Sequence, residues 1–419
     1  MKKFIVLVLG QFISSIGSGL TDFGLAIYVY MLTGSVMATS IISICAFLPS
    51  VLLSPIGGVL ADHYDRRLMM LFGELFSGLS LLICIGTIAS DNPSFIVICI
   101  GVAVSSIFAA LIEPSFKATI SDLLTEEDFA KAGGITQIAA NAKLLVSPLI
   151  AGILMQFTNV NTLMWIDILT FFTTAFVILY IKRGMETKKQ ADDNLNIMQE
   201  LQYGLKAINK KGIVAIIVIM TLVVFCLGFV QILSKPLALS FTGEKELGII
   251  TTICACGMLA GSLLVSCFKN IRSYQKILAC GLVVCGLFLG LMGVKENIYW
   301  MTVCGFLMFL CMPVIQVAAD VMIRKSLPNE VQGRAFGMIG FISQLGYIVA
   351  YVLSGVLSDQ VFEPFMCGDS TIALLIGKVI GNGAGRGIAL LLFFAGVLLA
   401  ILGAVFARVR SVKALEDKM

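Results

Sequence analysis

The sequence consists largely of apolar runs of about 20 residues or more, separated by short polar gaps. A helix needs roughly 20 apolar residues to cross the hydrocarbon core of a bilayer. Charged residues make up only 13% of the 419 residues, whereas soluble domains average about 25%. This pattern excludes a water-soluble fold and predicts an all-α polytopic membrane protein with twelve transmembrane helices. The predicted spans are 4–31, 36–61, 68–90, 94–122, 130–157, 161–182, 213–241, 247–268, 277–294, 298–323, 335–358 and 387–408.

Basic residues are distributed unevenly over the polar gaps. One side of the predicted bilayer has Arg66, Arg67, Lys131, the segment 182–211, Lys269, Arg272, Lys276, Lys325, Arg334 and the tail 408–418. The other side has only Lys245, Lys295, Lys378 and Arg386. Because cytoplasmic loops carry the excess of Lys and Arg, both termini are expected in the cytoplasm, with the protein in a bacterial-type inner (cytoplasmic) membrane. The net charge of +4 is small and lies beside apolar runs, which favours lipid headgroups as partners and not nucleic acid.

The longest polar segment, 183–212, divides the chain near its middle. Four apolar residues lie on one helical face within it (Ile197, Leu201, Leu205 and Ile208), which predicts a surface-lying amphipathic helix; a partly disordered tether is the alternative. The predicted domains are therefore 1–182, the cytoplasmic linker 183–212, and 213–419. A monomer is expected.

The two halves echo one another at an offset of about 200 residues. Gly57-Gly58-Val59-Leu60 corresponds to Gly261-Ser262-Leu263-Leu264, and Ala151-Gly152-Ile153-Leu154 corresponds to Ser354-Gly355-Val356-Leu357. This order predicts two pseudo-symmetric six-helix bundles. Two such bundles that rock around a site near the bilayer midplane form a transporter architecture.

The stretch Gly58-x-Leu60-Ala61-Asp62-x-x-x-Arg66-Arg67 resembles the cytoplasmic motif between spans two and three of the major facilitator superfamily. Two positions depart from that motif, since His63 replaces an arginine and Asp65 a glycine. An Asp before paired arginines is found in a drug-efflux branch that includes macrolide exporters. Residues 328–334, 359–366 and 381–387 resemble the same branch. The resemblance implies the major facilitator fold.

The same resemblance implies a gating role for Gly58, Asp62, Arg66 and Arg67. The Asp62 carboxylate would join a charge network that holds the outward-facing state, with both arginines near it. The alternative is that the arginines only anchor the loop to lipid headgroups. Ser266 occupies the position of Asp62 in the second half, so the charge network is expected on one side only.

Ionisable residues inside a span cost at least about 2.5–3.5 kcal/mol each near the bilayer centre, so each one requires a reason. Asp22 follows Gly17 and Gly19, which allow close backbone contact. Its carboxylate is predicted to exchange protons and to attract a cationic drug, the simplest basis for antiport; the alternative is a hydrogen-bonded packing role.

Glu113 is the second candidate coupling residue. An ion pair with Lys143 is plausible for it, and Lys117, four residues later on the same helix, is the competing partner. Asp320 and Arg324 have the same spacing, which favours a local salt bridge over a gating role.

Glu74, Asp167 and Lys235 are assigned structural roles. The suggested cavity wall consists of Phe23, Tyr28, Phe47, Phe225, Gln231, Phe341, Gln344 and Tyr347.

Taken together, these features predict a secondary active exporter of amphipathic drugs that works by alternating access and uses the proton gradient as its energy source. The alternative is an exporter or flippase of a defined metabolite, such as a siderophore or lysophospholipid, on the same fold. An enzyme is not expected, since the predicted spans contain no HExxH, DxxD or GxSxG motif. No cofactor or metal is expected either, because the 12 cysteines include no CxxC pair and His63 is the single histidine.

Overall fold

A computed structural model describes residues 2–124, 129–182, 208, 211–267, 273–327, 329–368 and 370–416. Within these ranges the chain is helical and contains no strand. The helices are α1 (Lys2–Thr33), α2 (Val36–His63), α3 (Arg66–Ile88), α4 (Phe95–Ala109), α5 (Ile112–Leu123), α6 (Phe129–Met155), α7 (Val160–Lys182), α8 (Lys211–Leu239), α9 (Glu244–Cys267), α10 (Tyr274–Leu291), α11 (Ile298–Ser326), α12 (Asn329–Leu357), a π-helical turn (Ser358–Phe362), α13 (Glu363–Cys367), α14 (Thr371–Ile380), α15 (Arg386–Phe406) and α16 (Arg410–Glu416).

The all-α polytopic fold class is confirmed. Among the described residues, eleven helices are long and apolar enough to cross a bilayer. The predicted fifth span, 130–157, coincides with α6, whose apolar part within the described ranges, Lys143–Met155, is shorter. The predicted linker 183–212 lies outside the described residues except for 208, 211 and 212, and α8 begins at Lys211.

The fourth predicted span, 94–122, is matched by the apolar stretch Phe95–Ile120, but two helices form it. α4 ends at Ala109 and α5 begins at Ile112. Pro114 has no N–H to donate to the carbonyl of Ala110, and its ring crowds that carbonyl, so the regular helix is interrupted there.

The chain divides into two compact units, one of Met1–Gly34 with Ile41–Asn194 and the other of Ser35–Ser40 with Leu195–Met419. In the first unit α1 packs against α6 and α7. Glycines at every seventh position of α1 (Gly10, Gly17 and Gly24) face residues at the same interval on α7 (Val177, Thr170 and Leu163). Since the two sets run in opposite order, α1 and α7 are antiparallel and in close contact along their length.

The second unit is built on similarly close helix pairs. α8 crosses α12 where Gly228 meets Ala350, and Gly346 of α12 lies against the carbonyl of Thr221, 2.6 Å from where its Cβ would stand. α10 crosses α15 at Gly396, whose missing side chain leaves room for the backbone of Gly286 and Gly290. Small residues allow this close approach. Close packing matters in a bilayer because the hydrophobic effect does not favour the association of helices there.

Equivalent glycines of the two sequence halves have equivalent packing. A Cβ on Gly57 of α2 would lie 2.9 Å from the Ala110 carbonyl oxygen and 3.4 Å from Pro114. Gly261 of α9 meets the Leu310 carbonyl in the same way, with Pro313 at 3.1 Å. The internal similarity of the sequence therefore extends to how corresponding helices touch.

Candidate functional site

One face of α1 carries three polar residues at intervals of four, Ser14, Ser18 and Asp22. Residues four apart lie on the same side of a helix, so these three form a line about 12 Å long. Each meets an ionisable residue of a different helix in the first unit: Glu74 of α3, Asp167 of α7 and Lys143 of α6, respectively. We refer to these six residues as the α1 polar line.

The two acids opposite the serines are buried. Glu74 is 1% exposed, and both of its carboxylate oxygens accept from Ser14 Oγ, at 3.0 and 2.9 Å. Asp167 is 2% exposed, and its Oδ1 accepts from Ser18 Oγ at 3.2 Å. Among the described residues, neither acid has a basic side chain within 4 Å. Burial of a carboxylate without a countercharge is costly, so this pair of acids is unusual for a purely structural core.

The Asp22 side chain, in contrast, is exposed and forms an ion pair. Lys143 Nζ lies 3.3 Å from Asp22 Oδ2, and the two side chains are 33% and 62% exposed, respectively. Of the two partners left open for Glu113, Lys117 binds it, at 2.6 Å on the exposed surface of α5. The suggested Glu113–Lys143 pair is therefore wrong. Lys143 instead reaches α1, because α6 packs directly on that helix.

Glycines and a hydroxyl hold α6 and α7 against the α1 polar line. Gly19 meets Ser147 of α6, and the Ser147 hydroxyl donates to the Ile16 carbonyl at 3.1 Å. A Cβ on Gly17 would lie 2.9 Å from Asp167 Oδ1, so only glycine permits this approach. Sequence reasoning assigned Asp167 and Glu74 structural roles, although the four-residue spacing of hydroxyls and acid on α1 was a usable signal.

The predicted gating motif is partly described. Gly58 and Asp62 lie in the last turns of α2, and their side chains are outside the described part of the chain. Asp65 is the N-cap of α3, and its carboxylate accepts from the Arg67 backbone N–H at 3.0 Å. This explains the departure from glycine, since Asp is among the residues that best satisfy the free N–H groups of a first helical turn.

Both arginines of the motif are held by the protein. Arg66 donates to the Ala118 carbonyl at 3.1 Å and pairs with Asp122 at 2.7 Å, which connects α3 to α5. The Arg67 side chain is only 4% exposed. Because both arginines contact or are buried in the protein, anchoring to lipid headgroups does not fully account for them. Their gating role stays a prediction.

Several of the suggested cavity residues meet in the second unit. Gln231 of α8 accepts a hydrogen bond from the Tyr351 hydroxyl of α12, and the Tyr347 and Tyr351 rings are 5.9 Å apart. Phe225 and Phe229 of α8 stack edge to face at 5.1 Å. The crossing of α8 and α12 thus carries two pairs of aromatic rings, and the Gln231 amide is hydrogen-bonded to one of them.

The remaining suggested residues are more dispersed. Phe23 is buried, whereas Tyr28, Phe47 and Phe341 are half-buried and Gln344 is exposed. Asp320 and Arg324 are one turn apart on α11, and the Arg324 guanidinium lies 4.7 Å from the centre of the Phe336 ring. Their salt bridge stays a prediction. Within the described residues no group of three or more His, Cys, Asp or Glu side chains could hold a metal ion.

The segment 381–387 has a structural role. Gly381, Gly383 and Gly385 adopt positive φ angles of 94°, 114° and 83°, which glycine tolerates best. This turn directs the Arg386 side chain, only 1% exposed, towards the carbonyls of Ile380 and Gly293.

Two acids of the segment 359–366 are helix caps. Glu363 accepts from the backbone N–H groups of Gly385 and Ile388, both at 3.2 Å, where α15 begins. Within the same compact unit, Asp359 accepts from the Ser35 hydroxyl at 2.6 Å and from the Met37 N–H at 2.9 Å. Both contacts satisfy N–H groups that a first helical turn leaves free.

Comparison with known proteins places the chain in a family. The family described as transmembrane secretion effector matches residues 1–384. The chain belongs to this family, within the major facilitator superfamily. The resemblance inferred from the motifs is thereby confirmed, and the chain is a multi-pass membrane transporter and not an enzyme.

Relatives extend over most of the chain. It is 25% identical over 365 residues to macrolide efflux protein A of Streptococcus pyogenes, which covers 86% of this chain and 90% of that protein. It is 24% identical over 333 residues to a putative bacilysin exporter of Bacillus subtilis, which covers 77% and 82%, respectively. The crystal structure of the nucleoside transporter NupG matches with a TM-score of 0.73 at 12% identity, over 97% of this chain and 100% of that one, and shows the fold alone.

Proposed function

We propose that this transporter exports amphipathic drugs in exchange for protons, by alternating access. The observation that carries the proposal is the Asp22–Lys143 pair, at 3.3 Å, on the open part of the α1 polar line. Relatives named for macrolide efflux support the drug class. The aromatic cluster at the crossing of α8 and α12 supplies apolar surface of the kind that such compounds bind.

Asp22 is the coupling residue in this proposal. In its ionised form it pairs with Lys143, and a proton that binds Asp22 abolishes that pair. A cationic substrate competes with the proton for the same carboxylate. Glu113 is the second coupling candidate, and its carboxylate pairs with Lys117 of its own helix at 2.6 Å and not with a residue of the α1 polar line.

The remaining properties follow the same proposal. The protein acts as a monomer in a bacterial cytoplasmic membrane, with both termini in the cytoplasm, and the proton gradient is its only energy source. Asp62, Arg66 and Arg67 stabilise the outward-facing state. Its substrates and the membrane lipids are its only partners, and it uses no cofactor.

The test uses inverted membrane vesicles with an imposed pH gradient. Addition of a fluorescent cationic dye or a macrolide is expected to dissipate part of the gradient. Asp22→Asn removes the ionisable group and abolishes that response, whereas Glu113→Gln retains it. Transport that needs sodium and ignores pH, or an unchanged response in Asp22→Asn, contradicts the proposal.

A second candidate is export of one defined metabolite on the same fold, which the relative named as a bacilysin exporter favours. A drug-susceptibility panel in an efflux-deficient host separates the two candidates. Resistance to several unrelated amphipathic drugs supports drug efflux. Resistance to none, together with an exported endogenous compound, supports the second candidate.

A further inference from the structure

The α1 polar line contains more acids than bases. Its carboxyl groups are Asp22, Glu74 and Asp167, and Lys143 is its one base among the described residues. One ammonium neutralises one carboxylate. If all three acids were ionised, the group would carry a net charge of −2, with two of the three carboxylates almost fully buried. Buried carboxyl groups without a countercharge are neutral in their lowest-energy state.

The four groups are close enough to act on one another. Asp22 is paired with Lys143, and the residues that bind Asp167 and Glu74, Ser18 and Ser14, lie one and two turns earlier on α1. These groups come from every helix packed on this part of α7: Asp22 from α1, Glu74 from α3 and Lys143 from α6. Asp167 lies against Gly17 and Ser18, while Lys143 lies against Gly19, the next residue of α1. Lys143 therefore pairs with the exposed acid and contacts α1 next to Ser18, the residue that binds the buried acid.

We propose that Asp167 is a second proton-binding residue of the transport cycle and that Glu74 and Asp167 both hold a proton while Asp22 is ionised. This inference rests on the proposed proton coupling and extends it to the buried acids. Lys143 connects the two carboxyl groups, since it can stabilise only one of them in the ionised form at a time.

The exchange conserves charge. In the starting state Asp22 is ionised beside Lys143, and Asp167 and Glu74 are protonated, so the group is neutral. A proton from water binds a carboxylate oxygen of Asp22 and removes the partner of Lys143. The ammonium then stabilises ionised Asp167, whose O–H bond breaks and releases its proton past the Ser18 hydroxyl. One proton is bound, one is released, and the group is again neutral.

The exchange is tested by substitution of Asp22, the acid that is ionised in the starting state. Asp22→Asn leaves Lys143 without its partner, so Asp167 becomes ionised even though no protonated group was mutated. The infrared absorption that Glu74 and Asp167 contribute as protonated carboxyl groups at neutral pH then falls by about half, because one of these two groups becomes ionised. The double variant Asp22→Asn/Lys143→Met restores it, since no base remains to stabilise ionised Asp167. Asp91→Asn, in the exposed turn after α3, is the matched control and leaves the absorption unchanged.

The measurement uses the full-length protein, purified and reconstituted in liposomes, by infrared difference spectroscopy in H2O and D2O. Direct substitution provides the second arm: Asp167→Asn removes the dye-induced proton release, and Asp167→Glu retains it. If Asp167→Asn does not fold, the Asp22 series alone decides.

An unchanged carboxyl absorption in Asp22→Asn, or wild-type proton release by a folded Asp167→Asn, overturns the inference. If Asp22→Asn still abolishes coupling in that case, the proposed function stands without it. If the wild type releases no protons with any substrate tested, the proposed function itself fails.

Discussion

The substitution Gly17→Ala adds a single methyl group where α1 contacts α7, and so tests the packing around the α1 polar line. In Gly17→Ala the new Cβ meets the Thr170 hydroxyl and would lie 3.0 Å from the Asp167 Cα, whereas ordinary contacts are 3.4–4 Å. The Thr170 side chain can rotate, but the Asp167 backbone cannot. α7 must therefore move away from α1 by at least ~0.4 Å, the difference between 3.4 and 3.0 Å, over a surface that is otherwise close-packed.

The matched control is Gly86→Ala on α3, where an added Cβ meets nothing within 4 Å. Both substitutions gain about 1 kcal/mol from the higher helix propensity of alanine. Only Gly17→Ala adds the cost of overpacking, about 1–3 kcal/mol. The free energy of unfolding is thus expected to be about 1–3 kcal/mol lower for Gly17→Ala than for Gly86→Ala, a factor of roughly 5 to 150 in the unfolding equilibrium constant.

The assay is the thermal unfolding midpoint of the purified proteins in one detergent at one scan rate, since membrane proteins often unfold irreversibly. Adding Thr170→Ala to Gly17→Ala is expected to recover part of the loss, because it removes one of the three close contacts. A Gly17→Ala protein as stable as Gly86→Ala would refute the close approach of α1 and α7, and with it the placement of Asp167.

Two further predictions concern contacts outside the α1 polar line. Asp65→Ala should lower the free energy of unfolding by about 0.5–2 kcal/mol through loss of the α3 N-cap, whereas Asp65→Gly should cost only a few tenths; equal midpoints for both would contradict the capping role. Tyr351→Phe and Gln231→Leu each break the same hydrogen bond. In a double-mutant cycle, the change in the free energy of unfolding of the double variant should therefore differ from the sum of the two single changes by about 1 kcal/mol. Additive midpoints would show that the bond contributes nothing.

Much of the fold was predictable, because bilayer thickness sets helix length and apolar runs of that length are visible in the sequence. The predicted span 36–61 matches α2, and 387–408 matches α15. The break in the fourth span at residues 110–111 was missed, because the apolar run continues across it and hydropathy gives no signal of a local interruption.

The charge partners were less predictable. Pairs within one helix follow from spacing, and Lys117 with Glu113 was among the two options that the sequence left open. The predicted partner of Lys143 was wrong. The sequence indicates how deep a residue lies in the bilayer, but hydropathy does not fix the rotation of a helix about its axis, so it does not show which neighbour a side chain faces.

The sequence by itself determined that this protein lies in a lipid bilayer, that its spans are helical and which superfamily it belongs to. It also identified the ionisable residues inside the predicted spans. Only the tertiary structure decided which of them meet. Glycines on α1 let α6 and α7 approach closely, and that contact places Lys143 on Asp22, whereas the hydrogen-bond partners of Asp167 and Glu74 within the described ranges are hydroxyl groups. The physical reason is that helix length is a local property of the chain, whereas a charge pair between helices, such as Lys143 with Asp22, joins side chains 121 residues apart in the sequence.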